Sequence, residues 1–160
     1  MRKTILVLMM IIGGLLYGQI PVTDATANAN LGIQISQSTQ QLTQLQQSYK
    51  LMKEGYEKYK KVNSYVRQMG QLQNMINHQK QAINNANLCL RKAKGGRFSL
   101  KEVETNLRQI SGSVKTVKAL LNDNLFEMTD GERIQIMENE LKKVKTANAE
   151  IRVKLIKMSY

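Results

Sequence analysis

The stretch SLKEVETNLRQISGSVKTVKALL, from Ser99 to Leu121, decides the fold class. Its apolar side chains recur at alternating spacings of three and four residues, at Leu100, Val103, Leu107, Ile110, Val114, Val117 and Leu121. That alternation over three heptads is typical of a helix that packs one face into a coiled-coil seam. Ser99 and Glu102 form a capping-box pattern, which predicts that the helix begins there.

A second seam of the same kind follows near the carboxyl end of the chain. Its inward positions are Ile134, Met137, Leu141, Val144, Asn148, Ile151, Leu155 and Met158. Thr129 and Glu132 form another capping-box pattern before it, and a polar stretch at 122–124 separates the two helices. Asn148 is the one polar residue in this seam, and a single buried asparagine commonly fixes the register of packed helices.

Ahead of these two helices, one helical pattern begins at Ala25 and continues without a stop for about 67 residues, a rod roughly 100 Å long. Apolar side chains recur there every three or four residues, and Ser38 and Gln79 take inward positions where the apolar residue is missing. Gly55 and Gly70 are the weakest points, because each glycine costs about 1 kcal/mol relative to alanine.

These patterns predict an all-α protein, an elongated antiparallel three-helix bundle with one very long N-terminal helix that protrudes as an arm. Short loops make successive helices antiparallel neighbours, which places the bundle at residues 62–160. The two later helices are too short to cover the first helix along its whole length, so residues 25–61 form the arm. Pro21 disfavours helix at the residue before it, so residues 19–24 form an extended lead.

The first 18 residues have the pattern of a secretory signal peptide. Arg2 and Lys3 precede an apolar run from Ile5 to Leu16, and the small residue Gly18 follows. The run is shorter than the roughly 20 apolar residues that span a bilayer. We therefore expect an exported protein, located in the periplasm or at the cell surface, with an uncleaved membrane anchor as the alternative.

The predicted arm carries an apolar stripe that no other part of the chain would cover. A bare stripe of that length exceeds the apolar patches that monomers usually expose, so a partner is expected to cover it. Between Gln19 and Tyr49 the only charged side chain is Asp24, so this segment can pack without burying charge. The alternative is a low-complexity, Gln-rich coiled coil with no specific partner. The predicted partner-binding residues are Ile20, Pro21, Val22, Leu31, Ile35, Leu42, Leu45, Tyr49, Met52 and Tyr56.

The chain is strongly basic, with a formal net charge of +12. In an exported protein that charge favours an anionic surface or an acidic partner, and nucleic acid is not expected. A cluster at the first bundle corner, predicted to contact such a surface, consists of Arg91, Lys92, Lys94, Arg97 and Lys101. The alternative is that these cations compensate the helix dipole and keep the surface soluble.

No catalytic pattern is present in the sequence. His78 is the only histidine, so a histidine-based metal site or a catalytic triad would lack parts. Cys89 is the only cysteine, which excludes an internal disulfide and leaves either a buried apolar role or a reactive thiol. We therefore predict a protein that is not an enzyme, with no catalytic residue, metal or cofactor.

The first part of the chain resembles a known family. A signal sequence followed by QIPVTD (Gln19 to Asp24), an Ala/Asn-rich entry (Ala25 to Asn30) and a Gln/Leu helix (Gln34 to Gln47) is similar to the TrbJ-type conjugal transfer proteins. These are minor pilus subunits of type IV secretion systems. The resemblance implies an elongated helical bundle, export to the periplasm, contacts with the pilus subunit and an inner-membrane channel protein, and no catalytic residues. This chain is shorter than is usual in that family.

The resulting expectation is a structural assembly subunit that contacts copies of itself and other secretion-system or pilus proteins. The first alternative is a Skp-like periplasmic holdase chaperone, which fits the charge and the export signal. However, that family builds its body around β-strands, and this sequence has no strand pattern. The second alternative is a basic protein that binds anionic surfaces peripherally.

Overall fold

The computed structural model describes residues 22–59, 63–93, 98–122 and 128–160. Within these ranges the chain forms four α-helices and no strand. The helices are α1 (Val22–Tyr59), α2 (Asn63–Lys92), α3 (Lys101–Asn122) and α4 (Asp130–Lys157). The all-α prediction is therefore confirmed.

The helices pack side by side as a bundle with a defined order. Helix α1 contacts α2 and α3, helix α4 contacts the same two helices from the other side, and α2 and α3 make a smaller contact across the centre. Among the described residues, α1 and α4 make no contact. One side of α1 and one side of α4 therefore face away from the bundle.

Cross-helix contacts give the helix directions. Tyr56 of α1 stacks on Tyr65 of α2, with ring centroids 6.4 Å apart, so the two helices run antiparallel from a shared end. Gln34 bonds to Ser111, and Gln44 accepts from Lys118, so α1 and α3 run parallel. Successive helices thus alternate in direction, as in an up-down-up-down bundle.

The predicted uninterrupted helix is wrong, and the predicted arm is not confirmed. The helical pattern splits between Tyr59 and Asn63, and α1 turns back along α2 instead of extending away from the bundle. The break is at neither of the two glycines expected to be weak. This geometry is favourable because it buries the α1 stripe within the chain, and a packed face is what stabilises a helix in water.

The two downstream seams are confirmed. The α3 seam is buried from Leu100 to Val117, and the α4 seam is buried from Ile134 to Ile151, with Asn148 in it as predicted. Ser38 and Gln79, predicted at inward positions of the first helical pattern, are both fully buried. Periodicity therefore identified the buried faces of α3 and α4 and these two inward polar positions correctly.

The helix starts differ in how well they follow the capping patterns. At α4 the capping box is complete: the Thr129 hydroxyl accepts from the Glu132 N–H, and the Glu132 carboxylate accepts from the Thr129 N–H. At α3, the Ser99 hydroxyl accepts from the Lys101 N–H, but the Glu102 carboxylate pairs with Lys154 at 3.0 Å. A cation on a neighbouring helix thus takes the second capping partner.

The amino-terminal predictions meet the structure only in part. Helix α1 begins at Val22, so residues 22–24 are helical and not part of an extended lead. The predicted signal peptide at residues 1–18 lies outside the described residues. No helix in the described ranges combines the length and the apolar character needed to cross a membrane.

Candidate functional site

The predicted partner-binding stripe is an internal packing surface. Leu31 and Leu45 are fully buried, Ile35 and Met52 are nearly so, and Leu42 and Tyr49 pack against the same core. Tyr56 is half-buried against Tyr65. The expectation that this stripe is left bare is therefore corrected: α2 and α3 cover it. Ile20 and Pro21 lie outside the described residues, and the structure does not describe the Val22 side chain.

A buried polar layer joins α1 to α2 and α3 near the middle of α1. The Gln34 amide donates to the Ser111 hydroxyl at 3.0 Å, and the Ser38 and Ser111 hydroxyls are hydrogen-bonded at 3.1 Å. The Gln79 amide donates to the main-chain carbonyl of Ser38 at 3.0 Å. Buried polar pairings of this kind are satisfied in one register only, so the layer holds α1 at a fixed position along its neighbours.

The opposite side of α1 is exposed, and none of its own side chains from Thr26 to Gln47 is charged. At the edge of this side, Gln44 accepts a hydrogen bond from the Lys118 ammonium of α3. We call this surface the neutral face. Its exposed side chains are Thr26, Ala29, Asn30, Ile33, Ser36, Gln37, Thr39, Gln40, Thr43, Gln44, Gln46 and Gln47. The exposed side of α4, by contrast, includes Lys142, Lys145 and Arg152. A neutral face loses little hydration energy when it is covered, because no charge is removed from water.

A groove of about 480 Å³ lies between α2 and α4, and we call it the α2–α4 groove. Its lining comprises His78, Gln81, Asn84 and Asn85 from α2 and Lys145, Asn148, Ala149 and Arg152 from α4. These positions repeat at three, four and seven residues along each helix, which places them on one face of each. The lining contains two cations and no carboxylate.

Asn148 organises the floor of this groove. Its side-chain N–H groups donate to Gln81 Oε1 at 3.1 Å and to His78 Nδ1 at 3.3 Å. Because Nδ1 accepts, the proton of the neutral imidazole is on Nε2. Burial, and then the Lys145 ammonium, lower the pKa of His78 below its ordinary value of 6.5. His78 is therefore half-buried and is held by a hydrogen bond with Asn148.

The predicted basic cluster is only partly described. Arg91, Lys92 and Lys101 are exposed at the end of the bundle where α2 finishes and α3 begins, and Lys94 and Arg97 lie outside the described residues. Its contact with an anionic surface stays a prediction. The cations of the α2–α4 groove, Lys145 and Arg152, were not singled out in the sequence, because they adjoin His78 and Gln81 only after the helices pair.

Cys89 is fully buried, and its burial raises the pKa of its thiol above the ordinary value, which favours the apolar role over the reactive one. Within the described ranges, no three side chains of histidine, cysteine, aspartate or glutamate are grouped so that they could hold a metal ion.

The chain matches no protein-family model, no curated protein and no solved structure.

Proposed function

We propose that this protein is an exported, non-enzymatic structural subunit of a conjugative type IV secretion apparatus whose copies associate through the neutral face of α1. The resemblance of the first part of the chain to TrbJ-type proteins supports the choice of apparatus. The neutral face supports the assembly role, and it is the observation that carries the proposal. The neutral face replaces the apolar stripe as the proposed association surface, because that stripe is already packed inside the chain.

The charge distribution favours a second copy as the occupant of this face. The chain carries a net charge of +12, so two copies repel each other over most of their surfaces. The neutral face is a strip of about 22 residues, or roughly 33 Å of helix, on which that repulsion is weakest. The cores of protein interfaces are likewise depleted of charged side chains.

The chemistry of the face is also self-complementary. Glutamine, asparagine, serine and threonine each donate and accept hydrogen bonds, so the same surface on two copies can pair with itself. Symmetric contacts in homo-oligomers are formed in this way. Ile33 lies on the face at 58% exposure and Leu51 lies five helical turns further along at 68%, and both can contribute apolar contacts to the interface. The pilus subunit and the inner-membrane channel protein remain the other partners that the resemblance implies.

A double substitution at the centre of the face tests the proposal. Gln40→Lys with Gln47→Lys places two cations on the face of each copy, so an associated pair brings four like charges together. We expect sedimentation velocity to show association of the wild-type chain and loss of that association in the variant. We also expect the variant to fail to restore DNA transfer in a conjugating host that lacks the gene.

The matched control is Gln109→Lys with Gln135→Lys, which adds the same charge at exposed positions of α3 and α4. It should associate and restore transfer as the wild type does. A wild-type chain that stays monomeric at all concentrations would contradict the self-association. A neutral-face variant that restores transfer as well as the control would contradict the assembly role.

A further inference from the structure

We propose that the α2–α4 groove is a binding site for a phosphate group, free or carried by a small molecule or a lipid headgroup. The proposal is independent of self-association through the neutral face, because the groove lies between α2 and α4, and α1 does not contact α4 among the described residues. It rests on the set of donors that the two helices bring together, on the absence of a carboxylate from the lining, and on the size of the groove.

Donors line both walls of the groove. Lys145 and Arg152 are seven residues apart on α4 and thus lie on the same side of that helix, two turns apart. Neither forms an ion pair with a carboxylate in the described parts of the chain, where five ion pairs are formed elsewhere. Arginine and lysine without an acidic neighbour are suited to phosphate, which arginine can contact through two N–H groups at once.

The α2 wall adds neutral donors whose orientation is constrained. Asn148 donates to His78 Nδ1, so the imidazole keeps its own proton on Nε2, where it can donate to a ligand oxygen. Asn148 also donates to Gln81 Oε1, which fixes the amide of Gln81 so that its N–H groups are directed away from Asn148. Asn148 is 8% exposed, so these two orientations are set by a residue that is itself held in the core.

The chemistry of this lining favours phosphate over a cation or an apolar ligand. A cation would face two positive side chains and no carboxylate. An apolar ligand would find only Ala149 as an apolar contact in the lining. The groove, at about 480 Å³, is within the range of small-molecule sites, so it can hold a phosphate together with a group of the size of a sugar or glycerol. Asn84 and Asn85 at its rim can bond to hydroxyl groups of such a ligand.

His78, the only histidine, supplies a specific probe for the test. The imidazole signals of the full chain are followed by NMR while inorganic phosphate is added, with sodium chloride at equal ionic strength as the reference. We expect shifts that saturate with phosphate and not with chloride. Lys145→Gln and Arg152→Gln should each weaken binding about tenfold, since each removes a charge-assisted hydrogen bond.

The matched controls are Lys142→Gln and Lys115→Gln, which remove exposed cations outside the groove. They should bind phosphate as the wild type does. Thermal unfolding of every variant establishes that the fold is kept. Shifts that fail to saturate, or control variants that weaken binding as much as the groove variants, would overturn the proposal.

Two further binding experiments distinguish the possible sources of the phosphate group. Glycerol 1-phosphate that binds more tightly than inorganic phosphate would identify a soluble phosphorylated ligand. Vesicles of phosphatidic acid that retain the wild-type chain but not Arg152→Gln, with phosphatidylcholine vesicles as the reference, would identify a headgroup. If inorganic phosphate binds and neither glycerol 1-phosphate nor the phosphatidic acid vesicles are preferred, the proposed site is supported and free phosphate is its ligand.

Discussion

Gln79 donates a hydrogen bond from its side-chain amide to the main-chain carbonyl oxygen of Ser38, with a donor–acceptor distance of 3.0 Å. Both residues are fully buried, and each takes an inward position on a helix whose neighbouring inward positions are apolar. Two interruptions in one apolar pattern therefore meet when α1 folds back on α2. A shift of one helix along the other would separate these polar groups inside an apolar interface, which is costly. The pair thus favours one register of the α1–α2 hairpin.

Ser111 is the residue of α3 on which this polar layer depends. Its hydroxyl accepts from Gln34 and shares a hydrogen bond with Ser38. Ser111→Ala leaves two buried polar groups without that partner, so the free energy of unfolding should fall by about 1–3 kcal/mol. Urea unfolding followed by circular dichroism measures the change.

Ser36→Ala is the matched control. It makes the same change of side chain within a helix, but Ser36 is exposed on α1. It should alter stability by less than about 0.5 kcal/mol. Equal effects of the two substitutions would show that the polar layer adds nothing to stability.

The burial of the α1 stripe gives a second prediction. Leu45 is fully buried against the rest of the chain, so Leu45→Ala should lower the free energy of unfolding by about 2–5 kcal/mol. Leu51→Ala, on the exposed side of the same helix, should change it by less than about 0.5 kcal/mol. The measurement is urea unfolding of both variants at low protein concentration.

This comparison separates the hairpin from a protruding arm. If α1 were a protruding arm, Leu45 would not contact the bundle. Leu45→Ala would then leave the stability of the bundle unchanged and would alter association between copies. A stable Leu45→Ala chain with altered sedimentation would therefore contradict the packing of α1 described above.

The sequence predicted the buried faces of α1, α3 and α4 but not what covers the buried face of α1. Helical periodicity concerns the side chains of a single helix, and it correctly predicted a common inward side for Leu31, Ser38 and Leu45. The choice between an arm and a hairpin depends on the break between Tyr59 and Asn63. Signals for a break were present, since lysines at 58, 60 and 61 are favourable near a helix end and Asn63-Ser64 can cap a new helix. These signals for a break were weaker than the apolar pattern, which continues along the sequence past this point.

The α2–α4 groove could not be predicted from sequence for a different reason. His78 and Lys145 are 67 positions apart, and each is a surface residue by its own helical pattern. They line one site only because α2 and α4 run parallel at a particular register, which Asn148 helps to fix. Helical periodicity contains no information on that register, although it did identify Asn148 as a polar residue in a buried seam.

The thiol of Cys89 should be unreactive in the folded protein. It is fully buried on α2, and burial raises the pKa of the thiol, so both access and thiolate formation are unfavourable. A chromogenic disulfide reagent at pH 8 should therefore react with Cys89 slowly in buffer and rapidly in concentrated urea. Because there is one cysteine, the reaction reports a single site. Fast labelling without denaturant would show that the core around α2 opens readily.

The stability of the folded chain should depend on pH through His78. Burial and the nearby Lys145 lower the pKa of His78 in the folded state below the 6.5 that applies to the unfolded chain. Between those two pKa values the unfolded chain binds more protons than the folded chain, so acidification favours unfolding. The free energy of unfolding should therefore be highest above pH 6.5, fall as the pH drops below that value, and level off once the folded-state pKa is passed.

His78→Asn keeps an oxygen acceptor for Asn148 but cannot titrate, so its stability should change less between pH 7.5 and pH 5.5. Urea unfolding at both pH values compares the variants, and equal losses in wild type and His78→Asn would assign the pH dependence to other groups.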